Sequence, residues 1–245
     1  MNQLLHLGEF RTALANYQLS ESATHTLTGV RFALLVGPTS SGRNTIINEL
    51  QKTGAYHYVV SDTTREPRVK NGVPIEQNGR EYWFRKEVDV LGEVQHGDFL
   101  EAAVIHGQQV SGISIREIEA ARADDKIAIT DVEPHGAAVI HRLKPDTIIL
   151  FVVPPDFATW TQRLRRRSDL PEAEIRRRLQ TSADECTAAL AADFYTFVVN
   201  DTFEHAVADI DNIVRRAQTP SAESQAAARA VAEQLLHDIR VHLAV

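Results

Sequence analysis

Cysteine is almost absent from this chain. Cys186 is the one thiol in 245 residues, which excludes an internal disulfide and suits a reducing compartment. It lies in a helical stretch with Ala and Leu and reads as buried filler rather than a redox centre. No apolar run approaches the ~20 residues of a membrane span. Residues 1–5 lack the basic and apolar regions of a secretion signal. A cytoplasmic protein without a membrane role is therefore expected. Positive charge is also in deficit: 26 Lys and Arg face 33 Asp and Glu, a net charge of −7. That balance excludes a general nucleic-acid binder, and the basic charge present gathers at residues 163–178. There is no internal repeat, and no low-complexity tract beyond an alanine-rich tail.

What remains is an ordinary globular composition, 43% hydrophobic and 24% charged, with one core domain plus appendages as the expected layout. Short β-branched or apolar runs at 32–36, 57–60, 99–105, 126–130, 147–153 and 195–199 read as strands. Helical patterns occupy 113–123, 136–143, 156–167, 171–192 and 204–217, and another begins near Arg43. Strands alternating with helices predict an α/β fold with a largely parallel core sheet flanked by helices. Residues 66–80, with Pro67, Gly72, Pro74 and Gly79, are turn-rich. Two appendages flank the core. Residues 1–30 carry Leu4, Leu5, Phe10, Leu14 and Tyr17 at roughly helical spacing. In 221–245, Val231, Leu235, Ile239 and Leu243 form a narrow stripe. Both appendages are expected to be helical, and either to pack on the core or to contact a second copy or a protein partner.

The strand at 32–36 runs straight into Gly37-Pro38-Thr39-Ser40-Ser41-Gly42-Arg43-Asn44-Thr45, and a helix follows. That order is the context of a phosphate loop. Gly37 and Gly42 let backbone N–H groups turn inward, Ser40 and Ser41 add hydroxyls, and the helix adds its positive end. Such loops project a lysine to the terminal phosphates and then a hydroxyl to magnesium. Here Arg43 and Asn44 hold those places. Arginine keeps the charge but is longer, planar and forked. Magnesium would be met by the Asn44 carbonyl or, one residue on, by the Thr45 hydroxyl.

A second polar segment, residues 61–68, reads Ser-Asp-Thr-Thr-Arg-Glu-Pro-Arg. Ser61, Arg65, Arg68 and, on the return strand, Tyr82 supply the hydroxyls and planar cations that a nucleotide phosphate needs. Arg163, Arg166 and Arg167 share one helical face, and residues 176–178 are all arginine. An arginine-rich lid at about 160–180 would neutralise a polyphosphate.

Taken in order, these motifs resemble the guanylate kinase family. They are the loop at 37–45, Ser-x-Thr-Thr-Arg-x-Pro-Arg at 61–68, Glu-x-x-Gly-x-x-Tyr-x-Phe at 76–84, and Phe-Leu-Glu at 99–101 with His106-Gly107. Asp-Val-Glu-Pro-His-Gly at 131–136, Arg-Leu-x-x-Arg at 163–167, Ile-x-x-Arg-Leu at 175–179 and Asn-Asp at 200–201 complete the series. The resemblance implies a P-loop nucleoside-monophosphate-kinase fold over 31–217, with a small GMP-binding subdomain at about 61–112. It implies a purine-nucleotide enzyme with ATP and GMP as substrates. It assigns Glu101 to the guanine edge, Glu76 to the same subdomain, and Asp131 to the neighbourhood of substrate or metal. Arg163, Arg167 and Arg178 become the lid cations, and Asn200 comes near the adenine.

The chain departs from that pattern at Arg43 and Asn44, at Val110 where a phenol is usual, at Glu133 for a second Asp, and in about five extra residues between Arg68 and Glu76. Ser111 or Ser114 could supply a lost hydroxyl. Two readings follow: ATP-dependent phosphorylation of GMP, or a catalytically impaired module that binds GMP or a protein partner.

Overall fold

A computed structural model describes residues 4–167 and 171–244. The chain opens with α1 (Leu7–Ala15), α2 (Glu21–Thr28), β1 (Phe32–Val36), α3 (Arg43–Gln51) and β2 (Tyr56–Tyr58). Short strands follow: β3 (Asp62–Thr63), β4 (Val69–Lys70), β5 (Val73–Pro74) and β6 (Trp83–Phe84). Next come α4 (Glu87–His96), β7 (Phe99–Ile105), β8 (Gln109–Ser114), α5 (Ile115–Ala123), β9 (Ile127–Asp131) and α6 (Pro134–Leu143). The chain closes with β10 (Ile148–Val153), α7 (Phe157–Arg167), α8 (Glu172–Ala191), β11 (Tyr195–Val199), α9 (Phe203–Val214) and α10 (Ala222–Leu243). It forms two compact units, residues 1–31 with 57–128, and residues 32–56 with 129–245.

β1, β10 and β11, all within the second unit, belong to a five-stranded sheet of order β11-β10-β1-β9-β2. β1 pairs in parallel with β10, and β10 with β11. The continuous apolar runs of β1 and β10 follow from burial on both faces: every residue of β1 is buried, as are the last five of β10. α3 packs with α9, and α8 with α6 and α10. Ser221 caps α10, its hydroxyl accepting from Ser224 N at 3.1 Å. Ala228, Ala232, Leu235, Leu236 and Ile239 are buried. The stripe read from sequence therefore packs on its own unit. Near its start, Gln225 meets the sheet edge: Oε1 accepts from Phe197 N at 2.9 Å, and Nε2 donates to Phe197 O at 3.1 Å.

The first unit holds a four-stranded sheet of order β6-β3-β8-β7. Phe10 from α1, Val90, Leu91 and Val94 from α4, and Phe99 and Val110 share one buried cluster. Here too an appended residue closes a strand edge. The Tyr17 hydroxyl accepts from Phe99 N at 2.7 Å and donates to Phe99 O. Gly97 (φ +90°) ends α4 where a Cβ would come within 2.6 Å of Gln18 O and Ser20 N, so the close crossing of chains requires glycine.

Several sequence expectations shift. Residues 109–114 form β8, so the helix expected from 113 starts at Ile115, capped by Ser114. Helix α4 was not expected. The turn-rich stretch contains the β4–β5 hairpin, which accommodates the extra residues between Arg68 and Glu76. Part of the lid expected at about 160–180, residues 168–170, lies outside the described residues. No helix among the described residues is long and apolar enough to cross a membrane.

Candidate active site

In the second unit, β1 ends at the glycine-framed loop. A Cβ on Gly37 (φ +142°) would lie 2.2 Å from Val152 O, and one on Gly42 (φ +106°) 2.3 Å from Asn200 Nδ2. Neither position tolerates a side chain. Ser40, at φ +67°, takes a left-handed conformation without being glycine. Two side chains brace the loop from outside: Trp160 Nε1 donates to Thr39 O at 2.8 Å, and Asn200 Nδ2 donates to Ser41 O at 2.7 Å. Arg163 Nη1 donates in turn to Asn200 O at 3.1 Å. Asn200 is thus a buried buttress of the loop.

The loop borders a cavity of about 740 Å³ whose lining includes Ser40, Arg43, Asn44, Thr45, Asp131 and Arg163. That size suits a small-molecule ligand. Arg43 Nη1 donates to Val132 O at 3.2 Å and lies 3.9 Å from Asp131 Oδ2. The Ser40 and Ser41 hydroxyl oxygens are buried without a hydrogen-bond partner among the described residues. Buried polar atoms are rarely left so, and two of them beside a turn of left-handed backbone fit an anion.

In the first unit, strand register builds the other cluster. Thr63 faces Ser111 and Phe84 on the strands beside it, and Ser111 also faces Ala103. With the period of two, Glu101, Ser111, Thr63 and Phe84 share one face. Ala102, Val104 and Val110 take the other, against α1 and α4. Ser111 Oγ donates to Thr63 Oγ1 at 2.9 Å, and Gln109 Nε2 donates to Ser111 Oγ at 3.1 Å. Between the two serines left open by the sequence, Ser114 is occupied as the cap of α5, and Ser111 lies on the polar face. Val110 is fully buried, so the position where a phenol is usual is core here.

Arg65 holds the edge of this cluster. Its guanidinium donates to both Glu76 oxygens, at 2.6 and 2.7 Å, and lies 4.9 Å from the Tyr82 ring centroid. The Arg68 backbone N–H donates to the same carboxylate at 2.7 Å, while its side chain is exposed. The hydrogen bond from Arg65, before any other cause, lowers the Glu76 pKa to about 2. Glu76 therefore fixes Arg65 in place. Ser61 is half-buried, and its carbonyl accepts from Trp83 N at 2.9 Å.

Sequence reading missed the supports beneath. Asp62 is buried between Arg116 at 2.7 Å and Arg85 at 2.9 Å. Burial pushes its carboxyl up to about 6 against the pull of both arginines. Glu117 accepts from Val60 N and Trp83 Nε1, both at 2.9 Å. The signal available was the alternation of Asp62 with Thr63, which assigns one to the brace and the other to the polar face.

The arginines of 160–180 divide. Arg163 lines the cavity beside the loop. Arg178 Nε donates to Glu174 at 2.7 Å on its own helix and is not among the residues lining that cavity. Glu174, bound also by Arg177, is held down to about 2 by these hydrogen bonds. Arg167 ends α7, and its side chain lies outside the described residues.

A family model described as guanylate kinase matches residues 29–217. The chain is 34% identical over 186 residues to a guanylate kinase of Corynebacterium diphtheriae, covering 75% of this chain and 94% of that one. It is 33% identical over 198 residues to a guanylate kinase of Polaromonas sp., covering 80% and 92%. A crystal structure of guanylate kinase from Anaplasma phagocytophilum superposes with a TM-score of 0.55 at 24% identity, covering 79% of this chain and 88% of that one.

Proposed function

The chain belongs to the guanylate kinase family, and on that premise we propose that it transfers the γ-phosphoryl group of ATP to the phosphate of GMP, giving ADP and GDP. The observation that carries this reading is the donor loop, whose unpartnered Ser40 hydroxyl belongs to a residue lining one cavity with Arg43 and Arg163, with the Ser41 hydroxyl also unpartnered in the same loop among the described residues. Phosphoryl transfer asks little covalent chemistry of a protein. It needs positioning and neutralisation of charge, and both clusters are built for that.

On the acceptor side, Arg65, preset by Glu76 and Tyr82, would grip the GMP phosphate with Arg68, Ser61 and Tyr82. Glu101 is a carboxylate acceptor on the polar face and would take the N1–H and N2–H₂ donors of guanine, with Ser111 and Thr63 alongside. On the donor side, Gly37–Gly42 backbone and the two serines would cradle the phosphates. Arg43 and Arg163 would meet the transferred group, with Arg167 and Arg178 as further lid cations. Asn200 would act through the loop that it braces, and Asp131 through Arg43. Magnesium bound with ATP would supply charge neutralisation, and the hard oxygens of Asn44 or Thr45 fit it.

One observation favours a second reading, an impaired module that binds GMP without turnover. Arg43 is already engaged by Val132 O and lies near Asp131. A coupled assay with ATP, Mg²⁺ and GMP separates the two. Turnover that Arg43→Ala abolishes supports the kinase reading, with arginine in the lysine's task. GMP binding without turnover, restored by Arg43→Lys, supports the impaired module.

A further inference from the structure

The polar face of the first unit carries a side chain that the proposed function does not use. Ser111 on β8 lies opposite Thr63 on β3, and the pairing runs one residue further. Thr64 N donates to Val110 O at 3.0 Å, and Val110 N donates to Thr64 Oγ1 at 2.9 Å. One more step of that register sets Gln109 beside Arg65, whose guanidinium lies 5.5 Å from the ring centroid of Phe84 on the same face. The period of two keeps Gln109 on the face of Ser111 and Glu101. Gln109 is half-buried, and one end of its carboxamide is committed. Nε2 donates to Ser111 Oγ at 3.1 Å and to Thr63 Oγ1 at 3.5 Å, and the two hydroxyls are joined at 2.9 Å. Two N–H groups meet two hydroxyls, so both donors of the amide are spent. Its Oε1 atom has no hydrogen-bond partner among the described residues. Gln109 therefore offers an acceptor, held in place from behind.

A nucleotide laid with its phosphate at Arg65 and its base at Glu101 crosses this triad. Its N1–H and N2–H₂ donors go to the Glu101 carboxylate, and a phosphate dianion has no donor. The sugar hydroxyls remain. We propose that Gln109 is a specificity-determining residue that reads the ribose, its Oε1 atom accepting a hydrogen bond from a sugar hydroxyl while Ser111 and Thr63 fix the amide. The inference rests on the reading of Arg65 and Glu101 as the two ends of the GMP site, and deepens it from phosphate and base to sugar. An acceptor fixed in advance favours a ligand that brings a donor and is left unpaired by one that lacks it.

The test is calorimetry of GMP, 2′-deoxy-GMP and 3′-deoxy-GMP, which needs no turnover. Wild type should bind at least one deoxy analogue about tenfold more weakly than GMP. Gln109→Leu and Gln109→Ala should each weaken GMP by about the same factor and leave that analogue within about twofold, so that the gap closes. Gln109→Glu keeps an acceptor oxygen and should keep the gap, whatever it does to all three affinities together. A merely structural role would move the three nucleotides alike and leave their ratio unchanged. Wild type binding all three equally, a gap that survives Gln109→Leu and Gln109→Ala, or a gap lost in Gln109→Glu overturns the proposal. A wild type that shows the gap but does not phosphorylate GMP sinks the kinase reading and leaves this one standing. Phosphorylation of GMP without the gap does the reverse, and a wild type that binds no GMP sinks both.

Discussion

Glu185 on α8 is buried, with no hydrogen-bond partner for its Oε2 atom among the described residues, and Glu185→Gln therefore makes a pH-dependent stability prediction. In the unfolded chain the carboxyl titrates at the ordinary value of 4.5, and folding raises it to about 7. Below the unfolded value both states carry the proton, and the residue costs nothing. As pH rises through the interval, the unfolded chain releases its proton and the folded one keeps it. The penalty grows and is complete above the folded value. At pH 8 it amounts to about 3 kcal/mol, from about 1.4 kcal/mol per pKa unit. The amide of glutamine recovers this but is itself buried without a partner, a cost of about 1–2 kcal/mol. A net gain of about 1–2 kcal/mol remains, or roughly 2–8 °C in melting temperature for a chain of this size. Thermal melts of wild type and variant from pH 5 to pH 8 are the assay. The variant's advantage should be largest at pH 8 and shrink toward pH 5. A variant less stable than wild type at pH 8, or an advantage independent of pH, refutes the reasoning.

Glu76→Gln should raise the KM for GMP about tenfold with little change in the KM for ATP, because Arg65 loses a charged bidentate partner rather than its own charge; steady-state kinetics against each substrate checks it. Ser40→Gly should stabilise the protein by about 0.5–1 kcal/mol, since the left-handed φ of +67° penalises a Cβ and the hydroxyl has no protein partner to lose; urea unfolding reads this. Tyr17→Phe leaves the Phe99 N–H and C=O without their capping hydroxyl and should cost about 1–3 kcal/mol, also by urea unfolding.

Much of this architecture was legible because strands that bury one or both faces leave runs rich in apolar and β-branched residues. Phe32–Val36, Phe99–Ile105 and Tyr195–Val199 are strands over the residues that their apolar runs mark. The glycine-framed loop was legible for a local reason: Gly37 is fixed by its clearance to Val152 O and Gly42 by its clearance to the Asn200 carboxamide, both at positive φ. The polar cluster of the first unit was less so. β3, β4, β5 and β6 are two residues each, too short for alternation to register, and β8 breaks its pattern with Gly112, where a Cβ would meet Glu101 O at 2.3 Å. Helix α4 hides behind Glu87 and Asp89, charges that serve its N-terminus but dilute its apolar stripe. Glu185 could not be found from sequence at all. Nothing in a run of Ala, Asp and Cys says which carboxylate folding will bury.

The two appended segments pose the same physical problem and meet it in the same way. β7 and β11 each lie at the edge of their sheet, and an open edge offers unpaired N–H and C=O groups to any other strand. In the first unit Tyr17 satisfies both backbone groups of Phe99 with one hydroxyl; in the second, Gln225 satisfies both of Phe197 with one carboxamide. Each residue imitates a neighbouring strand at a single position, and the helices behind them, α1 and α10, cover the adjoining apolar surface. Removing residues 218–245 should therefore do more than lower stability. It uncovers the β11 edge together with the buried face that Leu235 and Ile239 now fill. The truncated chain should aggregate on warming, visible as light scattering before secondary structure is lost. Gln225→Ala alone, which opens the edge but keeps the helix, should scatter less than the truncation and more than wild type. If both variants stay monomeric through unfolding, the helices do not guard the sheet edge, and the stripe on α10 serves only to fill the core.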